Sequence, residues 1–243
     1  MKKQLVLLLV PAVAAWVSAP ASADVIYGSG DPVFGGGGGG VLLDNDFYQY
    51  DVLNDSQLGL TAGGGIAWLH VFNVQKGGEI ITAISSMIGS PVAKGNLDVL
   101  GGPINVYVWD DPNNDGDPSD AVLLGGGTGT VTSVNESVYM KIALDGPIAV
   151  TGSFIIGATV THDMGSFPAP RDTSQASAGR AWVAGVVGGD FDPNNITGGI
   201  GLLELDSIGF PSVWNLRANA IPAPGALALL GLAGLAARRR RRA

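Results

Sequence analysis

An acidic segment at residues 110–120 carries the side chains best suited to chemistry in this 243-residue chain. Oxygen-bearing side chains alternate along its first half, and Gly116 stands at the sixth position, a spacing typical of calcium loops. The twelfth position is Val122, where an EF-hand needs a bidentate glutamate, so an EF-hand is excluded. The segment therefore predicts either a calcium-binding hairpin loop or a solvated turn rich in Asn, Asp and Gly. The candidate ligands are Asp111, Asn113, Asp115, Asp117 and Asp120.

A second acidic group contains Asp190, Asp192, Asn194 and Asn195. Its metal interpretation is weaker, because the alternation of oxygen ligands stops at Pro193.

Trp109 directly precedes the acidic segment and alternates with Ile104, Val106 and Val108 along a predicted strand. We expect its ring to be exposed on the opposite face, where a flat aromatic surface can stack on a sugar. Calcium beside an exposed aromatic ring would suit polysaccharide recognition.

The residues give little support for catalysis. His70 and His162 are the only histidines and belong to no metal-ligand cluster. We expect His70 to be a buried, hydrogen-bonded core residue and His162 to be exposed. There is no Gly-x-Ser-x-Gly elbow, although a carboxylate pair for glycan hydrolysis requires only proximity in space. The sequence therefore favours a non-enzymatic protein.

Alternation at period two predicts the strands that position these groups. The pattern places Val138, Met140, Ile142 and Leu144 on one face of a strand at 137–144. The other predicted strands cover 41–43, 66–74, 79–88, 104–109, 121–124, 128–134, 153–161, 180–187, 202–205 and 213–218. About ten short strands without helical periodicity indicate an all-β, antiparallel β-sandwich or jelly-roll-like domain.

Glycine and proline clusters mark the expected turns between these strands. We predict turns at 77–78, 101–103, 125–127 and 145–147, and a flexible loop or linker at the glycine run 35–40.

The charge distribution indicates which partners the domain can have. All 21 acidic residues lie between Asp24 and Asp206, and segment 24–219 contains only six basic residues, so its net charge is −15. Such a domain repels nucleic acid, which we exclude as a partner, and favours divalent cations. The chain has no cysteine, so disulfides cannot stabilise it.

The N-terminus has the order of a secretory signal peptide, with two lysines, an apolar run at 5–17 and small residues at Ala21 and Ala23. The run has 13 residues and is interrupted by Pro11, whereas a membrane anchor needs about 20 apolar residues. Residues 1–23 are therefore predicted to form a signal helix that signal peptidase removes.

The C-terminus combines a proline motif, an uncharged run at 225–237 and a basic cluster. The run can form a short transmembrane helix with help from local bilayer thinning, and the cations would hold its end in the cytoplasm. A plain tail anchor is the alternative. The motif residues are Pro222, Ala223 and Pro224, and the basic cluster is Arg238, Arg239, Arg240, Arg241 and Arg242.

This tail resembles the PEP-CTERM sorting signal of Gram-negative bacteria, with Ala223 in place of the glutamate of the Pro-Glu-Pro motif. The resemblance implies processing by a membrane protease of the exosortase type, after transient anchoring in the inner membrane. The pattern at 68–109 also resembles the β-rich ectodomains found upstream of such tails and, more loosely, the jelly-roll accessory domains of secreted adhesins.

The sequence thus predicts a signal peptide at 1–23, a β-sandwich ectodomain at 24–219 and a sorting tail at 220–243. We expect an exported protein of the cell surface or exopolysaccharide matrix with a structural or adhesive role. A calcium-assisted carbohydrate-binding module is the alternative, and an exported glycan hydrolase is a third interpretation.

Overall fold

The computed structural model describes residues 46–92 and 95–223. The predicted signal helix, the glycine run, the strand at 41–43 and the transmembrane helix of the tail lie outside the described residues. Within those ranges, no helix has the length and apolar character needed to cross a membrane.

The described chain is built from strands and a single short 3-10 helix at Pro118–Asp120. The strands are β1 (Asp46–Tyr48), β2 (Ser56–Leu58), β3 (Gly64–Asn73), β4 (Ile80–Ser86), β5 (Pro103–Asp110), β6 (Val122–Thr130), β7 (Met140–Ala149), β8 (Ser153–His162), β9 (Ala169–Asp172), β10 (Ala181–Val187), β11 (Leu203–Glu204), β12 (Val213–Trp214) and β13 (Leu216–Ile221).

These strands form three sheets. The order is β1-β13-β4-β7 in a four-stranded sheet, β11-β10-β3-β8-β5-β6 in a six-stranded sheet and β12-β9-β2 in a three-stranded sheet. Every pairing between these strands is antiparallel. The prediction of an all-β, antiparallel domain is therefore confirmed.

The two larger sheets share one hydrophobic core, as in a β-sandwich. Alternate residues of β7, including Ile142 and Leu144, enter this core together with Trp68 of β3 and Phe154 of β8. Trp68 is fully buried, and burying a large apolar side chain stabilises a fold by about 1.5–3 kcal/mol. The period-two pattern therefore predicted the inward side chains of β7 correctly, whereas Val138 precedes this strand and is only partly buried.

The outer face of the six-stranded sheet is also covered. A second cluster contains Leu69, Val71, Trp109 and Ile155, and side chains of the segment 188–202 pack against it. The central strands β3 and β8 are consequently buried on both faces. This second layer comes from an irregular segment, so no periodic pattern in the sequence indicated it.

The turn predicted at 125–127 is wrong, because these glycines lie inside β6. A Cβ atom on Gly127 would lie only 2.1 Å from the Ala143 carbonyl oxygen of β7. Glycine is needed here for the close approach of two strands rather than for a turn. The two strands predicted at 121–124 and 128–134 are therefore one.

The turn predicted at 145–147 is wrong as well, since these residues lie inside β7. The pairing with β4 shifts register between Ile81 and Ala83, and residues 145–147 are exposed there. An irregularity of the β-bulge kind accommodates glycine and proline without ending the strand.

Three short strands had no recognisable pattern: β1, β2 and β9. The segment predicted as one strand at 213–218 is divided at Asn215 into β12 and β13, which pair in different sheets. Strands of two to four residues are too short to show alternation, so their positions depend on tertiary contacts.

Candidate functional site

The acidic segment forms the connection between β5 and β6 and contains the 3-10 helix. Asp111 is only 1% exposed, whereas Asp115 and Asp120 are exposed. The backbone N–H of Gly116 donates to Asp111 Oδ2 at 2.9 Å, which closes the first half of the loop. Gly116 has φ +80°, a left-handed conformation that favours glycine at this sixth position.

The carboxylates of Asp111, Asp115 and Asp120 converge. One oxygen from each lies within 4.8 Å of the others. Oxygens on opposite sides of a calcium ion are separated by roughly 4.6–5.2 Å, because Ca–O distances are about 2.3–2.6 Å. The 3-10 helix returns Asp120 towards the start of the loop, and the spacing therefore suits calcium.

Asp111 supplies a second, independent observation. Its Oδ1 is buried and has no hydrogen-bond partner among the described residues. A buried carboxylate oxygen without a partner is costly, and so are like charges held close together. A cation bound between the three carboxylates would give the buried oxygen a partner and would offset the repulsion between the negative charges.

The two remaining predicted ligands, Asn113 and Asp117, form hydrogen bonds within the loop. The Asn113 side chain contacts Asp115 twice: its Oδ1 accepts from the backbone N–H, and its Nδ2 donates to Oδ2. Asp117 is the N-cap of the 3-10 helix, since its Oδ1 accepts from the Ser119 backbone N–H at 2.9 Å. Their side chains therefore shape the loop around the three carboxylates.

The second acidic group is not assembled into a comparable cluster. Asp190 Oδ1 accepts from Thr161 Oγ1 at 2.7 Å. Asp192 Oδ1 accepts from the Asn194 backbone N–H at 2.9 Å, as in an ordinary turn. Each carboxylate therefore has a local structural partner.

The expectation that Trp109 is exposed is wrong. Its side chain does lie opposite Val108, but it is 0% exposed, and its Nε1 donates to the Pro193 carbonyl at 2.8 Å. The segment 188–202 covers this face of the sheet, so the Trp109 ring cannot stack on a sugar. Trp68 and Trp214 are also fully buried, and Trp182 is partly buried.

Both histidines are buried. His70 is 0% exposed as expected, but neither ring nitrogen has a hydrogen-bond partner among the described residues. His162 was expected to be exposed and is only 5% exposed. Its Nε2 accepts from the Leu60 backbone N–H at 3.2 Å, so Nδ1 carries the proton towards the Asp163 carbonyl. His162 is therefore held by hydrogen bonds within the fold, and His70 is a buried core residue.

A polar cleft of about 300 Å³ adjoins the acidic loop, and sequence reasoning did not find it. It is formed where the loop meets the end of β3, the start of β8 and the turn before β10. Its polar lining residues are Asn73, Asn114, Asp115, Ser153 and Arg180. Only the scarcity of cations in this acidic domain could have drawn attention to Arg180.

The targeting residues lie largely beyond the described ranges. Ala21, Ala23, Pro224 and the five arginines are outside the described residues. Pro222 and Ala223 are described, and the Ala223 backbone N–H donates to Glu79 Oε2 at 3.2 Å. The N–H donors of Gly77 and Ala223 contribute to holding the pKa of Glu79 below its usual range.

No protein-family model matches the chain, and no curated protein matches it. Among solved structures, it is similar to the cysteine protease and lectin-like domains of Cwp84, a surface layer associated protein of Clostridium difficile. That similarity has a TM-score of 0.45 at 12% identity and covers 66% of this chain. The chain spans about a third, 32%, of the length of that protein chain.

Proposed function

We propose that this protein is exported, sorted at the cell envelope and used non-enzymatically as a structural or adhesive component whose domain is braced by calcium. The observation that carries the calcium part of the proposal is the buried Oδ1 of Asp111, which has no partner among the described residues and lies beside the carboxylates of Asp115 and Asp120. The proposed ion joins the beginning, middle and end of the β5–β6 connection, because all three carboxylates belong to it.

Calcium suits a domain with this composition. The domain has no cysteine, so an ion can stabilise a long loop where a disulfide is absent. Extracellular calcium-binding modules operate with dissociation constants of about 10⁻⁴ to 10⁻³ M, which fits three carboxylates on a partly exposed loop. The surplus of acidic residues favours cations near the domain.

The two ends of the sequence support export. The proposed route uses signal peptidase at Ala23, the inner membrane as a temporary anchor and an exosortase-type protease that recognises the tail. A surface or exopolysaccharide matrix location follows from that route, and a polysaccharide is the proposed partner.

Calcium is expected to stabilise the purified protein. Adding 1 mM calcium to the chelator-treated protein should increase the free energy of unfolding by about 1.4 kcal/mol for a dissociation constant of 10⁻⁴ M. The melting temperature should increase by roughly 3–6 °C, as measured by calorimetry. Asp111→Asn and Asp120→Asn should each abolish the increase.

The matched control is Asp145→Asn, because Asp145 is an exposed aspartate outside the loop. This variant should keep the full response to calcium. Equal melting temperatures for the wild-type protein in EGTA and in 10 mM calcium would contradict the proposed site.

The basic cluster of the tail is expected to determine sorting. Replacing all five arginines at 238–242 by serine should release the protein from the envelope fraction or retain it uncleaved, because the cytoplasmic stop is lost. Replacement by lysine keeps the charge and should preserve localisation. Fractionation with mass spectrometry of the C-terminus checks this, and a serine variant that is both retained and processed at its C-terminus like the wild type would argue against the sorting role.

A further inference from the structure

The polar cleft beside the acidic loop has the chemistry of a ligand site. Its volume of about 300 Å³ is at the lower end of the range of roughly 300–1,000 Å³ found for small-molecule sites. It therefore has room for one sugar-sized ring. Asp115 belongs both to the acidic loop and to the lining of the cleft.

Arg180 forms one wall and is held in place. Its Nη1 donates to the Tyr50 hydroxyl at 2.8 Å, and its guanidinium lies 5.0 Å from the centre of the Tyr50 ring. The turn that carries it is fixed by Asp206, which accepts the backbone N–H groups of Ser177 and Ala178. The guanidinium is therefore oriented before any ligand arrives.

No carboxylate pairs with Arg180 within the described parts of the chain. That is unexpected in a domain with a net charge of −15, where acidic side chains are plentiful. An exposed, stacked guanidinium without an internal counter-ion is well suited to a carboxylate from outside the protein.

The base of the cleft offers neutral hydrogen-bonding groups. Ser153 is 3% exposed, and its Oγ has no hydrogen-bond partner in the described residues. Asn114 Oδ1 accepts from the Ser153 backbone N–H at 2.6 Å, which fixes the amide and leaves its Nδ2 available. Asn73 is exposed and also lines the cleft. Amides and a hydroxyl in this arrangement are suited to sugar hydroxyl groups.

We propose that the cleft binds a uronic-acid sugar, with its carboxylate on Arg180 and its ring hydroxyls on the amides of Asn73 and Asn114. This inference goes beyond the structural role, because it gives the domain a ligand of defined chemistry. Calcium on the neighbouring loop would neutralise Asp115 and strengthen binding of the anionic sugar, but the contacts to Arg180 do not require it.

The test is a calorimetric titration of the full-length protein with three probes in 1 mM calcium: D-glucuronate, D-glucose and glutarate. Glucuronate has both the carboxylate and the hydroxyls, whereas each of the other two has only one kind of group. We expect glucuronate to bind at least about tenfold more tightly than either of the others. Equal affinity for glutarate would overturn the sugar assignment, and equal affinity for glucose would overturn the role of the carboxylate.

Variants locate the site. Arg180→Gln should weaken glucuronate binding about tenfold or more, and Asn73→Ala should weaken it to a smaller extent. The matched control, Lys76→Gln, removes an exposed cation outside the cleft and should leave binding unchanged. Absence of glucuronate binding by the folded wild-type protein, or unchanged binding by Arg180→Gln, would overturn the proposal.

Repeating the titration in EGTA separates the two proposals. Retained glucuronate binding, together with a melting temperature that does not respond to calcium, would refute the calcium brace alone. A normal calcium response without glucuronate binding would refute the ligand assignment alone.

Discussion

Asp51→Asn should lower the free energy of unfolding by about 3 kcal/mol, because the buried Asp51 carboxylate is the shared charged acceptor of a hydrogen-bond network. Arg217 Nη2 donates to Asp51 Oδ2 at 2.8 Å, and the two side chains are 21% and 1% exposed. Asn215 and Tyr139 also donate to the Asp51 carboxylate. Removing its charge therefore weakens several charge-assisted contacts together.

The position of this hydrogen-bond network explains why we expect its loss to lower the free energy of unfolding by this amount. Asp51 follows β1, whereas Arg217 lies in β13, the strand that leads towards the tail. The Arg217 guanidinium also lies 3.9 Å above the ring of Tyr139, which precedes β7. Burial raises the pKa of Tyr139 well above its usual value, so its hydroxyl remains a donor to Asp51. The network therefore joins three segments that are distant in sequence.

Chemical denaturation and calorimetry check this prediction, which corresponds to a decrease in melting temperature of roughly 6–12 °C. Asp145→Asn, on an exposed part of β7, should change the free energy of unfolding by less than about 0.5 kcal/mol. The double variant Asp51→Asn with Arg217→Met removes both charges and should recover part of the loss. A single variant as stable as the wild type would contradict the stabilising role of the Asp51 charge.

The sequence predicted the sandwich because its central strands obey a local rule. Alternation along β3, β7 and β8 determines which side chains enter the core shared by the two larger sheets. Predictions from local sequence were wrong at positions whose environment is determined by tertiary contacts. Gly127 lies in a strand because it packs against Ala143, and Trp109 is buried because the segment 188–202 covers it.

The candidate metal site shows the same division between local and long-range information. The spacing of Asp111, Asp115 and Gly116 indicated the first half of the loop, where the Gly116 N–H donates to Asp111 and the Asp115 carboxylate lies close to that of Asp111. The use of Asp117 as a helix cap, which returns Asp120 to the cluster, depends on a 3-10 turn that has no periodic signal. The cleft at Arg180 combines segments far apart in sequence, so no local pattern could have shown it.

His70 should make the protein sensitive to mild acid. Its ring is fully buried and lies 4.8 Å from the centre of the Tyr50 ring and 5.1 Å from that of Phe72. Burial lowers the pKa of His70 from 6.5 to about 3; the nearby Arg180 acts in the same direction, and a backbone interaction with Val71 opposes it. The imidazole therefore stays neutral in the folded protein under all but strongly acidic conditions.

The sign of the pH dependence follows from this difference. Between pH 6.5 and about 3, the unfolded chain takes up a proton at His70 and the folded protein does not, so acid favours unfolding. The loss is about 1.4 kcal/mol per pH unit within that window. Asp98 and Asp172, whose pKa values are lowered in the folded protein, add to acid sensitivity mainly below their unfolded pKa of 3.8. Between pH 7.5 and 5, His70 therefore contributes more than Asp98 and Asp172 to the change in the free energy of unfolding.

His70→Phe should remove this part of the acid sensitivity. Phenylalanine can stack on Tyr50 and has no ring nitrogen to protonate, so the variant should avoid the loss of about 2 kcal/mol that His70 causes in the wild type between pH 7.5 and 5. Denaturation curves of both proteins across this range isolate the contribution of position 70, because His162 is common to both. His70→Asn, which is smaller and also neutral, should show the same flattened dependence with lower overall stability. Parallel curves for the wild type and both variants would mean that the His70 ring accepts a proton as readily in the folded protein as in the unfolded chain, which is incompatible with its burial between aromatic rings.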